Sequence, residues 1–81
     1  MRLPRQLSGD ELASRLAVLG YTITRQAGSH LRLTCQEPNE HHISIPRHDS
    51  LRVGTLAGIL KELQDHHQIS REELLTRVFW Q

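Results

Sequence analysis

Six histidines in a chain of 81 residues, His30, His41, His42, His48, His66 and His67, are the side chains that most need a chemical account. Imidazole titrates between about pH 5 and 8 when unperturbed, so it can take up and return a proton near neutrality, and it is also the commonest metal ligand. Spacing separates these uses. His41 and His42 are adjacent, so in a strand they point to opposite faces and cannot jointly hold one ion from one face; solvation is their default reading. His66 and His67 follow a predicted helix, whose C-terminal carbonyls favour a cation without any function being required. His30 stands apart. It comes just after Gly28, where a backbone lacking a Cβ can approach a phosphate, and it projects from a predicted strand. Residues 21–36 around it hold Arg25 and Arg32 and no acid, whereas residues 54–81 set Lys61, Arg71 and Arg77 against Glu62, Asp65, Glu72 and Glu73. Any anion site therefore lies in the middle of the chain.

The elements that must position these groups follow from local patterns. Ser8 and Glu11 have capping-box spacing, with Leu7 placed to staple against Leu12, so a helix begins at about residue 9. Leu12, Leu16 and Leu19 line one face of it, and Gly20 suits a left-handed cap. Residues 21–26 alternate and are rich in strand formers. After the break at Ala27-Gly28, Leu31, Leu33 and Cys35 alternate with His30, Arg32 and Thr34, which predicts a hairpin. Pro38 and Asn39 turn the chain again, and His42 to Ile45 form a third strand that Pro46 ends. A loop from Arg47 to about Val53 leads to a second helix with Leu56, Ile59, Leu60 and Leu63 on one face. Ser70 and Glu73 repeat the capping spacing ahead of a short helix carrying Leu74, Leu75, Val78 and Phe79.

The expected architecture is α+β, in the order α-β-β-β-α with a short C-terminal helix: a three-stranded antiparallel sheet with the helices packed on one face. With Ile23, Leu31, Leu33, Ile43 and Ile45 toward the helices, the other face presents Thr22, Thr24, Gln26, His30, Arg32, Thr34, His42 and Ser44. Setting Leu33 opposite Ile43 or Ile45 brings the end of the third strand beside His30, and His48 close to it.

The length predicts one domain over 1–81, because a core of this size leaves nothing for a second. No apolar run approaches the roughly 18 residues of a membrane span. Met1 to Gln6 has no apolar stretch of the secretory kind, so a cytoplasmic location is expected, without contact with a membrane. A single cysteine, Cys35, excludes an internal disulfide and a zinc ribbon or finger, and it falls on the inner face as a small core residue. A net charge of +1 does not by itself mark a nucleic-acid binder, and with one Tyr, one Phe and one Trp an aromatic platform for stacked bases is a poor fit.

Three segments, Arg25-Gln26-Ala27-Gly28-Ser29-His30, then Ile45-Pro46-Arg47-His48, then Gly54-Thr55-Leu56-Ala57-Gly58-Ile59-Leu60, occur in an order and context that resembles the HicA family of messenger-RNA interferase toxins. The likeness runs from about Ser8 to Leu75. It implies a fold like that of double-stranded-RNA-binding domains. It also implies an endoribonuclease toxin of a type II toxin–antitoxin system, a catalytic histidine at His30, and a HicB-type antitoxin as the neutralising partner. The chemistry suits the residues. RNA cleavage without a metal uses the 2′-hydroxyl as an internal nucleophile, so the protein need only move protons and offset charge on the phosphorane, with no cofactor.

Arg25, Arg32, Arg47 and Arg52 are the candidates for phosphate contacts, Gly28 and Ser29 for approach of the RNA backbone, while Arg2, Arg5 and Arg15 read as ordinary surface charge. His48 has two readings: a second proton-transfer group or phosphate contact, or a polar loop residue. The antitoxin is expected to occlude the His30 face. The alternative is a non-catalytic RNA- or protein-binding module of the same fold. A metal-dependent hydrolase is disfavoured by the lack of an acidic pair or a His-x-x-x-His spacing.

Overall fold

A computed structural model describes residues 6–80. The readings of Met1 to Arg5, namely the missing secretory stretch and the surface roles of Arg2 and Arg5, lie outside the described residues. Helix α1 (Gly9–Arg15) tightens into a 3₁₀ turn at Leu16–Leu19; strands β1 (Thr22–Ala27), β2 (His30–Cys35) and β3 (His41–Pro46) follow, then helices α2 (Val53–His67) and α3 (Arg71–Phe79). The sheet is an antiparallel meander in the order β1-β2-β3, so the expected α+β arrangement is the observed one.

The caps form as the spacing predicts. The Glu11 and Glu73 backbone N–H groups each donate to a serine Oγ three residues back, Ser8 and Ser70, at 3.0 Å. Gly20 closes the first helix with φ +89°, a conformation that costs glycine nothing. The core lies between the helices and the inner side of β2 and β3, where Leu12, Leu16, Leu33, Ile45, Leu60, Leu63, Leu74, Leu75 and Cys35 are fully buried. Cys35 is thus the core residue expected. Arg15 ties the first helix to the last: it pairs with Glu11, donates to the Val78 carbonyl and places its guanidinium 5.6 Å from the Phe79 ring centre.

Gly9 sets how closely α1 meets the sheet. A Cβ there would overlap the Pro46 carbonyl oxygen, and the Gly9 N–H donates to the His48 carbonyl at 3.0 Å. The chain leaving β3 is therefore held against the start of α1.

Ile23 lies on the helix-facing side opposite Leu33, as expected, but it is 54% exposed, because α1 and α2 pack on β3 and the edge strand β1 overhangs them. Two expectations need correction. Alternation puts Gln26 on the open face, yet a bulge between Ile23 and Arg25 inserts Thr24, reverses the alternation and pairs Gln26 with Leu31 instead. His66 and His67 do not follow α2; they form its last turn, and their ring nitrogens bond to groups outside the helix.

Candidate functional site

The open sheet face carries a hollow of about 170 Å³ lined by Arg25, Ala27, His30, Arg32 and Ser44. Its floor is built by register. His30 opens β2, directly opposite Ala27 on β1 and Pro46 on β3, and Arg32 stands opposite Arg25 and Ser44. Directly paired residues share a face, so His30, Arg32 and Arg25 converge, while the short side chains of Ala27 and Ser44 leave the space between them. The turn Gly28-Ser29 forms the rim. Gly28 has φ +58° and is the first central residue of a two-residue hairpin loop, the position where a type II′ turn requires glycine.

Two arginines in directly opposed positions repel each other, and among the described residues neither has a carboxylate within ion-pair distance. Such an arrangement stores unfavourable charge that an anion would relieve. The bulge is what creates it: in unbroken alternation Arg25 would fall on the Ile23 side of the strand. Thr24 instead bonds the Thr34 hydroxyl at 2.8 Å, and Thr34 bonds His42 Nδ1 at 2.8 Å, whose Nε2 meets Glu40 Oε2 at 2.8 Å. This chain of side chains buries Thr34 on a face that sequence alternation alone would leave wet.

The other candidates are placed less centrally. Arg47 is committed to Asp10, with Nε to Oδ1 at 2.9 Å and Nη2 to Oδ2 at 3.1 Å, and that carboxylate holds its guanidinium still more firmly protonated. Its backbone N–H donates to the Ser29 carbonyl, which pins the turn to β3. His48 is exposed, does not line the hollow, and spends its carbonyl on Gly9. Arg52 is exposed at the residue preceding α2 and does not line the hollow.

A second constellation went unnoticed in the sequence. On the helix-facing side, at the other end of β2, the buried Tyr21 hydroxyl lies 2.6 Å from His41 Nδ1 and 3.0 Å from His67 Nε2. His41 Nε2 meets Glu62 at 3.1 Å, the His41 and His66 rings stack with centres 4.1 Å apart, and Cys35 stands opposite His41 in the β2–β3 register. His41 is therefore far from solvated, although it does point away from His42 as expected. Burial, with neighbouring His66 second, lowers the pKa of both His41 and His67; burial, reinforced by Cys35, raises the Tyr21 phenol well above its ordinary range. No spacing rule would have grouped these residues, because three separate elements bring them together.

A family model described as the HicA toxin of bacterial toxin–antitoxin systems matches residues 9–64. The chain belongs to the HicA toxin family. The match covers α1, all three strands and most of α2, and so every residue of the hollow; α3 and the pair His66-His67 lie beyond it. Membership makes the chain a toxin with an antitoxin counterpart. No curated protein and no solved structure matches the chain. Among the described residues, no helix is long and apolar enough to cross a membrane.

Proposed function

We propose that this HicA-family toxin is a metal-independent endoribonuclease that cleaves messenger RNA, with His30 as the catalytic residue, and that a HicB-type antitoxin silences it by covering the His30 face. The observation that carries this reading is the hollow itself: one imidazole beside two guanidiniums that no carboxylate among the described residues pairs, on the sheet face that the helices leave open. Its lining holds one histidine and no carboxylate, a poor donor set for a metal.

RNA brings its own nucleophile. His30 takes the proton of a 2′-hydroxyl as that oxygen bonds to the adjacent phosphorus. Arg25 and Arg32 offset the charge gathering on the phosphorane oxygens, and Ser44 offers a hydroxyl donor. The bond from phosphorus to the 5′-oxygen then breaks. An in-line displacement puts that oxygen away from His30, and water entering the open hollow supplies its proton. The products are a 2′,3′-cyclic phosphate and a 5′-hydroxyl. Gly28 and Ser29 guide the RNA backbone past the rim, with Arg52 and His48 as outlying contacts. Arg47 contributes by bracing the turn.

One observation favours a second reading, a module that grips RNA without cutting it: a single histidine lines the hollow. Incubating a long RNA with wild type and with His30→Ala, in a chelator, separates the two. Wild type should cleave and His30→Ala should bind without cleaving, at unchanged circular dichroism. A folded His30→Ala protein as active as wild type would sink the assignment, and a folded wild type that binds but never cleaves would favour the module.

A further inference from the structure

The cluster around Tyr21 is not used by the proposed cleavage. It lies five residues along β2 from His30 and on the opposite face, roughly 17 Å away at strand rise. One ligating atom from each of Cys35, His41 and His66 falls within 4.8 Å of the other two. A tetrahedral zinc ion with Zn–S of about 2.3 Å and Zn–N of about 2.0–2.1 Å needs its ligands about 3.3–3.6 Å apart, so the donors must draw in by about 1 Å and the His41 and His66 rings, now stacked nearly parallel, must turn until both ring planes meet at the ion.

The orientation of the rings is the more telling fact. Metal-bound histidines almost always donate their second ring N–H to a carboxylate or a backbone carbonyl. Both rings here are arranged that way: His41 Nε2 is 3.1 Å from Glu62 Oε2, and His66 Nε2 is 3.2 Å from the Asn39 carbonyl oxygen. An acceptor at each Nε2 fixes the proton there and leaves each Nδ1 as a bare lone pair. Cys35 supplies a soft sulfur whose present partner, the Glu37 carbonyl at 3.5 Å, is a weak one. The weak Cys35 bond to the Glu37 carbonyl, the His41–His66 stack and the bond from the Tyr21 hydroxyl to His41 Nδ1 have to give way.

We propose that Cys35, His41 and His66 bind a divalent cation of the zinc class, clamping the last turn of α2 to the turn end of the β2–β3 hairpin. One sulfur and two imidazole donors select zinc over magnesium or calcium, and solvent completes the fourth position. Binding drives the Cys35 proton into solvent, leaving a thiolate, and adds directly to the stability of the fold. The ion plays no part in the cleavage step, so the two proposals fail independently.

Cobalt(II) titrated into the full, metal-stripped chain tests this. One equivalent should bind with thiolate-to-cobalt charge-transfer absorption, zinc(II) should displace it, and the thermal midpoint should rise with either ion. His66→Ala should weaken binding by about tenfold or more, whereas His42→Ala and His48→Ala, on other surfaces, should leave it unchanged. Cys35→Ala should remove the charge-transfer band; should that buried substitution prevent folding, the wild-type band and His66→Ala still decide. Binding without the thiolate band, binding that His66→Ala leaves intact, or no binding at all would each overturn the site.

Discussion

Replacing Arg25 by Gln should strengthen the fold and weaken its grip on RNA in the same protein. Arg25 and Arg32 are direct cross-strand partners with no carboxylate in reach among the described residues. Take their charges as roughly 7 Å apart, a little beyond the Cβ spacing of opposed residues. In water the repulsion is then about 0.6 kcal/mol, and screening over a Debye length of about 8 Å leaves about 0.25 kcal/mol at physiological ionic strength. Arg25→Gln should therefore raise the melting midpoint by about 1–2 °C, since about 1 kcal/mol moves a domain of this size by 4–8 °C. The gain should shrink as salt is added. For RNA the sign reverses. Each phosphate contact to a single strand contributes about 0.7 to the slope of log K against log salt, so the two arginines together give about 1.4 and the variant about 0.7. Thermal melts and filter-binding titrations, both repeated across salt, give the two numbers. A less stable Arg25→Gln protein would mean that the arginine is a structural residue, and an unchanged slope would mean that it never meets a phosphate.

Gly9→Ala should cost about 1–3 kcal/mol in urea unfolding, because the added methyl meets the Pro46 carbonyl, whose backbone cannot swing aside; a neutral result would show that α1 does not sit this close to β3. Hydrogen exchange on the toxin–antitoxin complex should protect β1 and β2 amides around His30, and RNA should compete with the antitoxin; protection confined to α2 and α3 would replace occlusion by an indirect mechanism. Cleavage products should end in a 2′,3′-cyclic phosphate, read by mass spectrometry, and a 3′-hydroxyl end would exclude the 2′-hydroxyl as nucleophile.

The framework was readable wherever a local rule has one strong solution. Ser8 with Glu11 and Ser70 with Glu73 announced two helix starts, Gly20 a helix end, and the alternation of Leu31, Leu33 and Cys35 the central strand, whose pairing of Leu33 with Ile43 was among the registers expected. The central strand is fixed on both sides, so period two serves it well. The edge strand is different. Ile23 is left more than half exposed, and an unpaired side lets β1 absorb Thr24 as an extra residue, which no residue pattern in Tyr21 to Gln26 reveals. The site was thus half visible: His30 and Arg32 follow from the central strand, but the convergence of Arg25 on them depends on the bulge. Register points His48 toward His30, and neighbourhood alone makes Arg47 a phosphate candidate; the competing attractions of Gly9 and Asp10 belong to a helix far away in sequence.

Stability and the proposed chemistry occupy opposite faces of one sheet, and the central strand shows why they can. Leu31, Leu33 and Cys35 hold the helices, while His30 and Arg32, one residue out of phase, stand in solvent, where substitution disturbs no packing. That freedom permits an unfavourable charge pair, because the buried side supplies the stability that the open side gives up. The same logic bears on the antitoxin. A face that is polar, repulsive and unable to bury itself gains from any partner that brings acidic groups to Arg25 and Arg32, as a phosphate does. If both bind as proposed, RNA and antitoxin compete for one electrostatic vacancy, and residues that strengthen RNA binding should strengthen neutralisation too, so that neither affinity can be raised through these arginines alone.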